Sequence, residues 1–459
     1  MPFPPEVEKK LQSIVGADNF HISPEKLAAY AYDAAWKRSL PEAVLFPGDE
    51  DQVSRVMALA DQLRIPVTPR GAGTGMTGGS VPVSGGIVMA MTRLNRILSI
   101  NEGNCVAEVE PGVVTADFQK AVEEKGLFYP PDPSSAPYCT MGGNAAECAG
   151  GPRAVAYGVT RDYVLGLSAV LASGKRIKTG VKTAKGVVGY DLTRLLVGSE
   201  GTLAVITGIT VRLLPLPGAV RTLTAVFRDI RDAAAAVSAI FAAGIVARSI
   251  EYMDRAAIAC AEDYMHAGLP ADAGAVLLLE VDGEADCVDG KAERLAAVCT
   301  ARGAYQVLPA GAGQAAALWK ARKALSPALF RLGPDKINED IVVPRDRIPD
   351  MVARVDEIRL RTGLAMVTFG HAGDGNMHVN VMLDRANPAQ AELAEKAVSE
   401  IFDYTLALGG TLSGEHGVGL TKMPYIGREI DPLTMSLMRE IKKVFDPHNI
   451  LNPGKMFPS

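Results

Sequence analysis

Residues 69–79 read Pro-Arg-Gly-Ala-Gly-Thr-Gly-Met-Thr-Gly-Gly, and residues 80–88 continue Ser-Val-Pro-Val-Ser-Gly-Gly-Ile-Val. Gly73, Gly75 and Gly78 formally match G-x-G-x-x-G. A dinucleotide fingerprint of that form follows a strand and opens a helix whose N-terminus holds a pyrophosphate. Ile-Pro-Val-Thr-Pro at 65–69 supplies the strand. Pro82, Gly85 and Gly86 deny the helix, because proline removes a ladder donor and glycine is a poor helix former. A Rossmann turn is therefore excluded. Successive glycines can instead curl several backbone N–H groups into one concavity that binds anions without a helix, and a pyrophosphate would fit such a nest. The bland alternative is a flexible surface loop.

Outward from this stretch, residues 50–64 have helical apolar spacing. Gly-Gly-Ile-Val-Met-Ala-Met (85–91) and residues 105–114 read as strands, and 115–126 as an amphipathic helix. Residues 130–163 are rich in Pro, Gly, Ser and Ala with no period, and so long an irregular stretch is usually functional. Regular structure resumes at 164–177 and 202–217, where Pro215 and Pro217 mark a boundary. Beyond it, Ala-rich helices (231–244, 291–303) alternate with strands (275–283, 365–371), the pattern of a second α+β domain. The expected organisation is 1–217, 218–405, and a segment 406–459 with turn chemistry near its end.

With 459 residues, 48% hydrophobic and 22% charged, the chain has room for two or three units of an ordinary globular protein. Net charge is −5 and no Lys/Arg cluster is interleaved with aromatics, which argues against nucleic-acid binding. Residues 1–16 lack the basic and apolar regions of a signal peptide, and apolar runs fall short of the roughly 20 residues that span a bilayer. A cytoplasmic protein is expected, peripheral to a membrane only through a partner. The six cysteines (105, 139, 148, 260, 287, 299) form no C-x-x-C pair, which argues against a zinc ribbon or an iron–sulfur cluster on this chain.

Three of the six histidines fall in two polar motifs, Phe-Gly-His-Ala-Gly-Asp-Gly-Asn-Met-His-Val-Asn at 369–380 and Ser-Gly-Glu-His-Gly-Val-Gly at 413–419. Gly370, Gly373 and Gly375 make a helix between His371 and His378 untenable, so the stretch predicts a hairpin with the two imidazoles side by side at its mouth. His378 and Asn380, two apart, share a strand face. Two histidines and a carboxylate such as Glu415 leave open positions on Zn²⁺, Fe²⁺ or Mn²⁺, as a catalytic metal requires. The alternative is a turn served by Asp374 and Asn376, with histidines satisfied locally.

Taken together, 69–79, the stretch from Pro130 to Val164 and Gly-Tyr-Asp-Leu-Thr-Arg-Leu-Leu-Val-Gly-Ser-Glu-Gly-Thr-Leu-Ala-Val-Ile-Thr (189–207) resemble the FAD-binding domain of the vanillyl-alcohol-oxidase (PCMH-type) flavoproteins. The C-terminal half is similar to the FAD-linked oxidase C-terminal domain. Within that group the chain most resembles the D-lactate dehydrogenase and glycolate oxidase D-subunit branch. The resemblance implies an α+β fold: a PCMH-type FAD-binding domain of two α+β subdomains, a cap with an antiparallel sheet, and a tail returning to the FAD domain.

The resemblance also implies site residues. Arg70, Gly71, Ala72, Gly73, Thr74, Gly75, Thr77, Gly78 and Gly79 would cradle the FAD pyrophosphate. Pro133, Thr140, Gly142, Gly143, Asn144, Gly150, Tyr157, Gly158 and Asp162 would line the flavin and ribityl pocket. Glu200, Gly201, Ile206 and Asn452 would lie along the cofactor. Some relatives attach FAD through a histidine near the glycine loop. None lies between His21 and His266, so non-covalent FAD is expected. By carry-over, His371, His378 and Glu415 bind a divalent metal, Zn²⁺ or Fe²⁺ with Mn²⁺ also suited, Asn380 supports the substrate site, and His416 is the general base. Arg322, in Trp-Lys-Ala-Arg, offers a bidentate fork for a substrate carboxylate with Lys336 assisting; the alternative is a solvated helix face beside Lys320 and Lys323.

The implied activity is oxidation of a D-2-hydroxy acid to the 2-oxo acid by hydride transfer to flavin N5, with D-lactate ahead of glycolate. D-2-hydroxyglutarate is the alternative substrate, and a metal-dependent hydrolase or a flavin-binding subunit without chemistry of its own are the readings from other classes. Lacking iron–sulfur ligands and a Rossmann site, the chain is expected to pass electrons to an iron–sulfur subunit or an electron-transferring flavoprotein. A homodimer is compatible with the sequence.

Overall fold

After the glycine run the chain enters a strand, not a helix. The computed structural model describes residues 3–266 and 268–458 and has the mixed α+β character expected. It divides into two compact units: residues 1–150, 159–216 and 415–459 in the first, and 151–158 with 217–414 in the second.

In the first unit, β1 (Phe20–His21), β2 (Ala43–Leu45), β3 (Val67–Arg70) and β4 (Ile87–Ala90) form a sheet in the order β1-β2-β4-β3. β4 runs parallel to both β2 and β3. The helix Glu50–Leu63 starts at Asp49, whose side chain accepts from the Gln52 amide. It buries Val53, Val56, Met57 and Ala60, one stripe at helical spacing, against Leu45, Val67, Ile87 and Met89. β5 (Ile97–Asn101), β6 (Val106–Val109), β8 (Val164–Val170), β9 (Arg176–Gly180) and β10 (Val205–Arg212) make an antiparallel sheet in the order β5-β6-β10-β8-β9. β7 (Leu127–Phe128) pairs with β11 (Leu214–Pro215).

Residues 130–163, read from sequence as irregular, contain three short helices: Met141–Glu147, Ala154–Tyr157 and Thr160–Tyr163. Segments of four to seven residues are too short to show a 3.6-residue period. The first is set by its cap, where Thr140 Oγ1 accepts from the Gly143 amide at 3.3 Å.

The second unit is built on one antiparallel sheet. Its strands are β12 (Ala219–Phe227), β13 (Ser249–Asp254), β14 (Ala275–Gly283), β15 (Gln306–Ala310), β16 (Asp335–Val342), β17 (Ala365–His371) and β18 (Asn376–Leu383), ordered β15-β12-β14-β13-β17-β18-β16. One face packs Val226, Met253, Val276, Leu278, Val367, Phe369 and Met382 against Ile258 and Ala261 of helix Arg255–Met265 and Leu318 and Leu325 of helix Ala312–Ala328. Further along the same face the side chains become polar. Because Cβ atoms alternate, the register aligns Glu280, Glu251, His371, Asn376, His378, Asn380 and Asp340 with that apolar set. No helix among the described residues is long and apolar enough to cross a membrane.

Candidate active site

The glycine loop of the first unit has a defined polarity. Carbonyls in its second half are engaged by the protein: Gly75 O accepts from Ala34 N at 3.0 Å, Thr77 O from Leu420 N at 2.7 Å and Gly78 O from Val81 N at 3.1 Å. Gly79 O receives Asn452 Nδ2 at 2.8 Å and Lys455 Nζ at 3.0 Å. Among the described residues, no protein acceptor takes an amide N–H of residues 71–79. A glycine-rich run of amides without protein acceptors, held by the carbonyls of residues 75 and 77–79, describes an anion nest, and a pyrophosphate is chemically matched to it. Gly73 holds φ +74°, and a Cβ there would land on the Arg70 guanidinium, whose Nη1 is anchored on Tyr32 O at 2.6 Å. The loop also packs on the cap of Met141–Glu147, since a Cβ on Gly71 would strike Thr140 Oγ1.

The C-terminal segment pins this loop. Lys455 Nζ also donates to Val81 O and Asn452 Oδ1, both at 2.8 Å, and burial pushes its pKa down to about 8. Asn452 Nδ2 reaches Glu200 O at 2.7 Å as well. The Glu200 carboxylate accepts from the Val418 and Gly419 amides, each at 2.7 Å, yet burial still raises its pKa. Glu147, beside Gly79 and Gly417, is raised further by burial and then by Glu200. Thr77 Oγ1 donates to His416 O at 3.0 Å. His416 Nε2 lies 3.9 Å from Glu415 Oε1, and Gly150 leaves room for the Glu415 carboxylate, since a Cβ there would sit 2.8 Å from Oε2.

Of the expected FAD residues, Arg70 to Gly79, Pro133, Thr140, Gly142, Gly143, Asn144, Gly150, Asp162, Glu200, Gly201, Ile206 and Asn452 lie in the first unit. Tyr157 and Gly158 belong to the second, where Tyr157 Oη donates to Asp282 Oδ2 at 2.6 Å. Asn144 Nδ2 bonds Thr115 Oγ1 at 2.8 Å, and Asp162 Oδ2 accepts from the Val159 amide at 2.9 Å.

The second unit gathers the histidine motif. β17 and β18 form the predicted hairpin around Ala372–Gly375, where Gly375 holds φ +86° and a Cβ would strike Val343 O. In the register His371 lies opposite Asn376, and His378 opposite Phe369. The imidazoles are thus diagonal neighbours on one face, both buried, with ring centroids 5.2 Å apart and planes at 87°. Glu251, fully buried, bonds His371 Nδ1 at 2.7 Å, which leaves Nε2 as the lone-pair donor. Asp340 Oδ1 is 3.9 Å from His378 Nδ1 and accepts from Asn376 Nδ2 at 2.6 Å. Its Oδ2 receives Ser413 Oγ at 3.3 Å and the Gly414 amide at 3.0 Å. In this unit His378 and Asp340 offer ligand atoms close enough to share a divalent ion, and His371, oriented by Glu251, is the adjacent imidazole.

Arg322 does not lie on a solvated helix face. It is 4% exposed, with Nη2 2.6 Å from Glu251 Oε2 and its guanidinium 4.8 Å above the Phe369 ring. Lys336 Nζ donates to Ser326 Oγ at 2.5 Å, and burial lowers its pKa to about 8. Asn380 Nδ2 donates to the carbonyls of Val367 and His378, both at 3.2 Å, while its Oδ1 accepts from Asn338 at 2.7 Å, so its amide holds the strands beneath His378. Sequence reasoning missed Glu251, Asp340, Glu147 and Lys455. The available signals were acids inside apolar strands (Ser-Ile-Glu-Tyr-Met-Asp, Ile-Asn-Glu-Asp-Ile-Val) and a lysine three residues after Asn452.

An amide cradle without a Rossmann helix in one unit, and an antiparallel sheet carrying buried histidines in the other, define a two-domain flavoprotein architecture of the PCMH type. p-Cresol methylhydroxylase shares the fold, with a TM-score of 0.82 at 19% identity over 98% of this chain and 96% of that one. Residues 41–180 match the FAD binding domain, and residues 216–456 match the C-terminal domain of FAD linked oxidases. The chain belongs to the FAD-linked oxidases and is an FAD-dependent oxidoreductase. It is 45% identical over 454 residues to the glycolate oxidase subunit GlcD of Bacillus subtilis, covering 98% of this chain and 97% of that protein. It is 34% identical over 436 residues to a D-lactate dehydrogenase of Anaerostipes hadrus, covering 92% of this chain and 91% of the relative.

Proposed function

We propose that this protein oxidises a small D-2-hydroxy acid, D-lactate or glycolate, to the 2-oxo acid. The observation that carries the reading is the joining of His371 and Arg322 through Glu251: an imidazole proposed to ligate a metal and a guanidinium proposed to bind a carboxylate share one buried acid. A 2-hydroxy acid presents a hydroxyl and a carboxylate on adjacent carbons, which suits that proximity. The names of the relatives, a glycolate oxidase subunit and a D-lactate dehydrogenase, support the same substrate class.

His371, His378 and Glu415 are the proposed metal ligands, and the 71–79 amides with Asn452 and Lys455 behind them are the proposed seat of the FAD pyrophosphate, held non-covalently. When bound, FAD takes up the C2 hydride and the divalent ion lowers the pKa of the hydroxyl, as metals do for water. Arg322 receives the carboxylate through its fork, with Phe369 fixing the guanidinium plane. His416 accepts the hydroxyl proton at Nε2. Asn380 holds the strand under His378, and Lys336 secures the end of the helix that carries Arg322. Electrons then leave to a partner protein, an iron–sulfur subunit or an electron-transferring flavoprotein. A substrate with a distal carboxylate, such as D-2-hydroxyglutarate, needs a further cation. Arg248 does not supply it, being held by Asp282 at 2.9 Å and Glu280 at 3.4 Å.

An anaerobic visible spectrum tests the reading. Adding D-lactate or glycolate should bleach the flavin band, a chelator should abolish the bleaching, and restored metal should recover it. A metal-loaded flavoprotein that no 2-hydroxy acid bleaches refutes the proposal.

A further inference from the structure

We propose that Glu251 is a positioning residue that couples the metal-binding imidazole of His371 to the carboxylate-binding guanidinium of Arg322; the inference rests on the function proposed above. Glu251 sits on β13 directly opposite His371 of β17 and is fully buried. Its two oxygens are divided between two functional groups, Oε1 on His371 Nδ1 at 2.7 Å and Oε2 against Arg322 Nη2 at 2.6 Å. A carboxylate on Nδ1–H fixes the tautomer, turns the ring and raises its basicity, so Nε2 becomes a better metal donor.

The contact with Arg322 is of a different kind. It is close, but Glu251 Oε2 and Arg322 Nε and Nη2 are buried without an aligned hydrogen bond. Glu251 therefore supplies the charge that keeps a guanidinium in a dry site, with Arg322 Nε left without a hydrogen-bond partner. The helix bearing Arg322 is fixed one turn earlier, where Trp319 Nε1 donates to Glu280 Oε1 at 2.6 Å. With the helix anchored at Trp319 and the strands paired at Glu251 and His371, the Glu251 side chain is the direct link between the two groups. Purely structural neutralisation of Arg322 would need only the second contact.

The test uses the full-length, FAD-loaded protein and Zn²⁺ as the probe, with affinity measured by competition against a chromophoric chelator. E251Q keeps the side-chain shape and removes the charge. It should weaken Zn²⁺ binding by roughly 10–100-fold, the range for outer-shell partners of metal-bound histidines. In an H371A background the same substitution should change Zn²⁺ affinity less than about twofold, because the route through His371 is already cut. The KM for the hydroxy acid should also rise in E251Q. Unchanged Zn²⁺ affinity in E251Q, or an equal loss in both backgrounds, overturns the inference while leaving the proposed function standing. A parent protein that binds no Zn²⁺, Mn²⁺ or Fe²⁺ removes both. Should E251Q lose its melting transition, E251D decides in its place: retracting the carboxylate by one methylene should still weaken Zn²⁺ binding, and wild-type affinity there overturns the inference.

Discussion

Replacing Lys455 with methionine tests whether the C-terminal segment holds the glycine loop through a buried cation. The ammonium donates to Gly79 O, Val81 O and Asn452 Oδ1, and the residue is 4% exposed. Burial lowers its pKa from 10.5 to about 8, although Asp33, Glu200 and Glu147 act to raise it. Between those values the unfolded chain binds a proton that the folded chain has released. Stability contributed by this group therefore rises with pH, and the cost of keeping the charge buried is largest below pH 8. At ~1.4 kcal/mol per unit, that cost is about 3 kcal/mol in neutral solution. It shrinks to about 1.4 kcal/mol by pH 9.5, so the parent should gain about 2 kcal/mol on Lys455→Met between pH 7.5 and 9.5.

Calorimetric melting of the two proteins side by side, in the same FAD excess, reads this directly. With roughly 2–4 °C per kcal/mol for a unit of this size, the gap, taken as parent Tm minus variant Tm, should rise by about 4–8 °C over that interval. A gap that stays constant or falls as pH rises refutes the reasoning, because a solvated lysine or one stabilised in its charged form gives those results.

Three further outcomes are expected. Gly73→Ala must place a Cβ on the Arg70 guanidinium at φ +74°, so the purified protein should lose most of its flavin absorbance while its circular dichroism stays near the parent's. His416→Asn should lower kcat by ~10²–10⁴ with unchanged flavin content, as loss of a general base does. Arg322→Lys keeps the charge but not the fork or the stacking on Phe369, and should raise KM for the hydroxy acid more than tenfold, read by steady-state kinetics with an artificial electron acceptor.

Local chemistry in the sequence was enough to reject the Rossmann turn. Pro82, Gly85 and Gly86 deny a helix whatever the rest of the chain does, and β4 begins at Ile87. The hairpin at 369–380 was equally legible, since three glycines leave a turn as the only economical conformation. What resisted reading is what depends on register. Glu251 meets His371 across 120 residues, and Lys455 meets Gly79 across 376. No local pattern tells an acid in an apolar strand which neighbour will face it. The diagonal placement of His371 and His378 has the same origin: the four-residue turn sets Asn376, and hence not His378, opposite His371. The short helices of 141–163 follow from caps and packing, whose partners are distant in sequence.

Register also explains why the second unit can hold so polar a cluster in its interior. Along one sheet face each central strand changes from apolar to polar, at levels offset from strand to strand: Leu278 to Glu280, Met253 to Glu251, Phe369 to His371, and Met382 to Asn380 and His378. The apolar half lies against helices 255–265 and 312–328 and fixes the sheet's alignment through burial. A slip of one residue in β13 would turn Met253 and Glu251 to the opposite face, which is buried as well, and would take Glu251 away from His371 and Arg322. A slip of two would keep the faces but carry Glu251 away from His371, leaving a buried acid and a buried guanidinium uncompensated, at several kcal/mol. With apolar residues buried on both faces of β13, it is the charged groups that select face and register together. The residues that would perform the chemistry are also the ones that make the alignment unique.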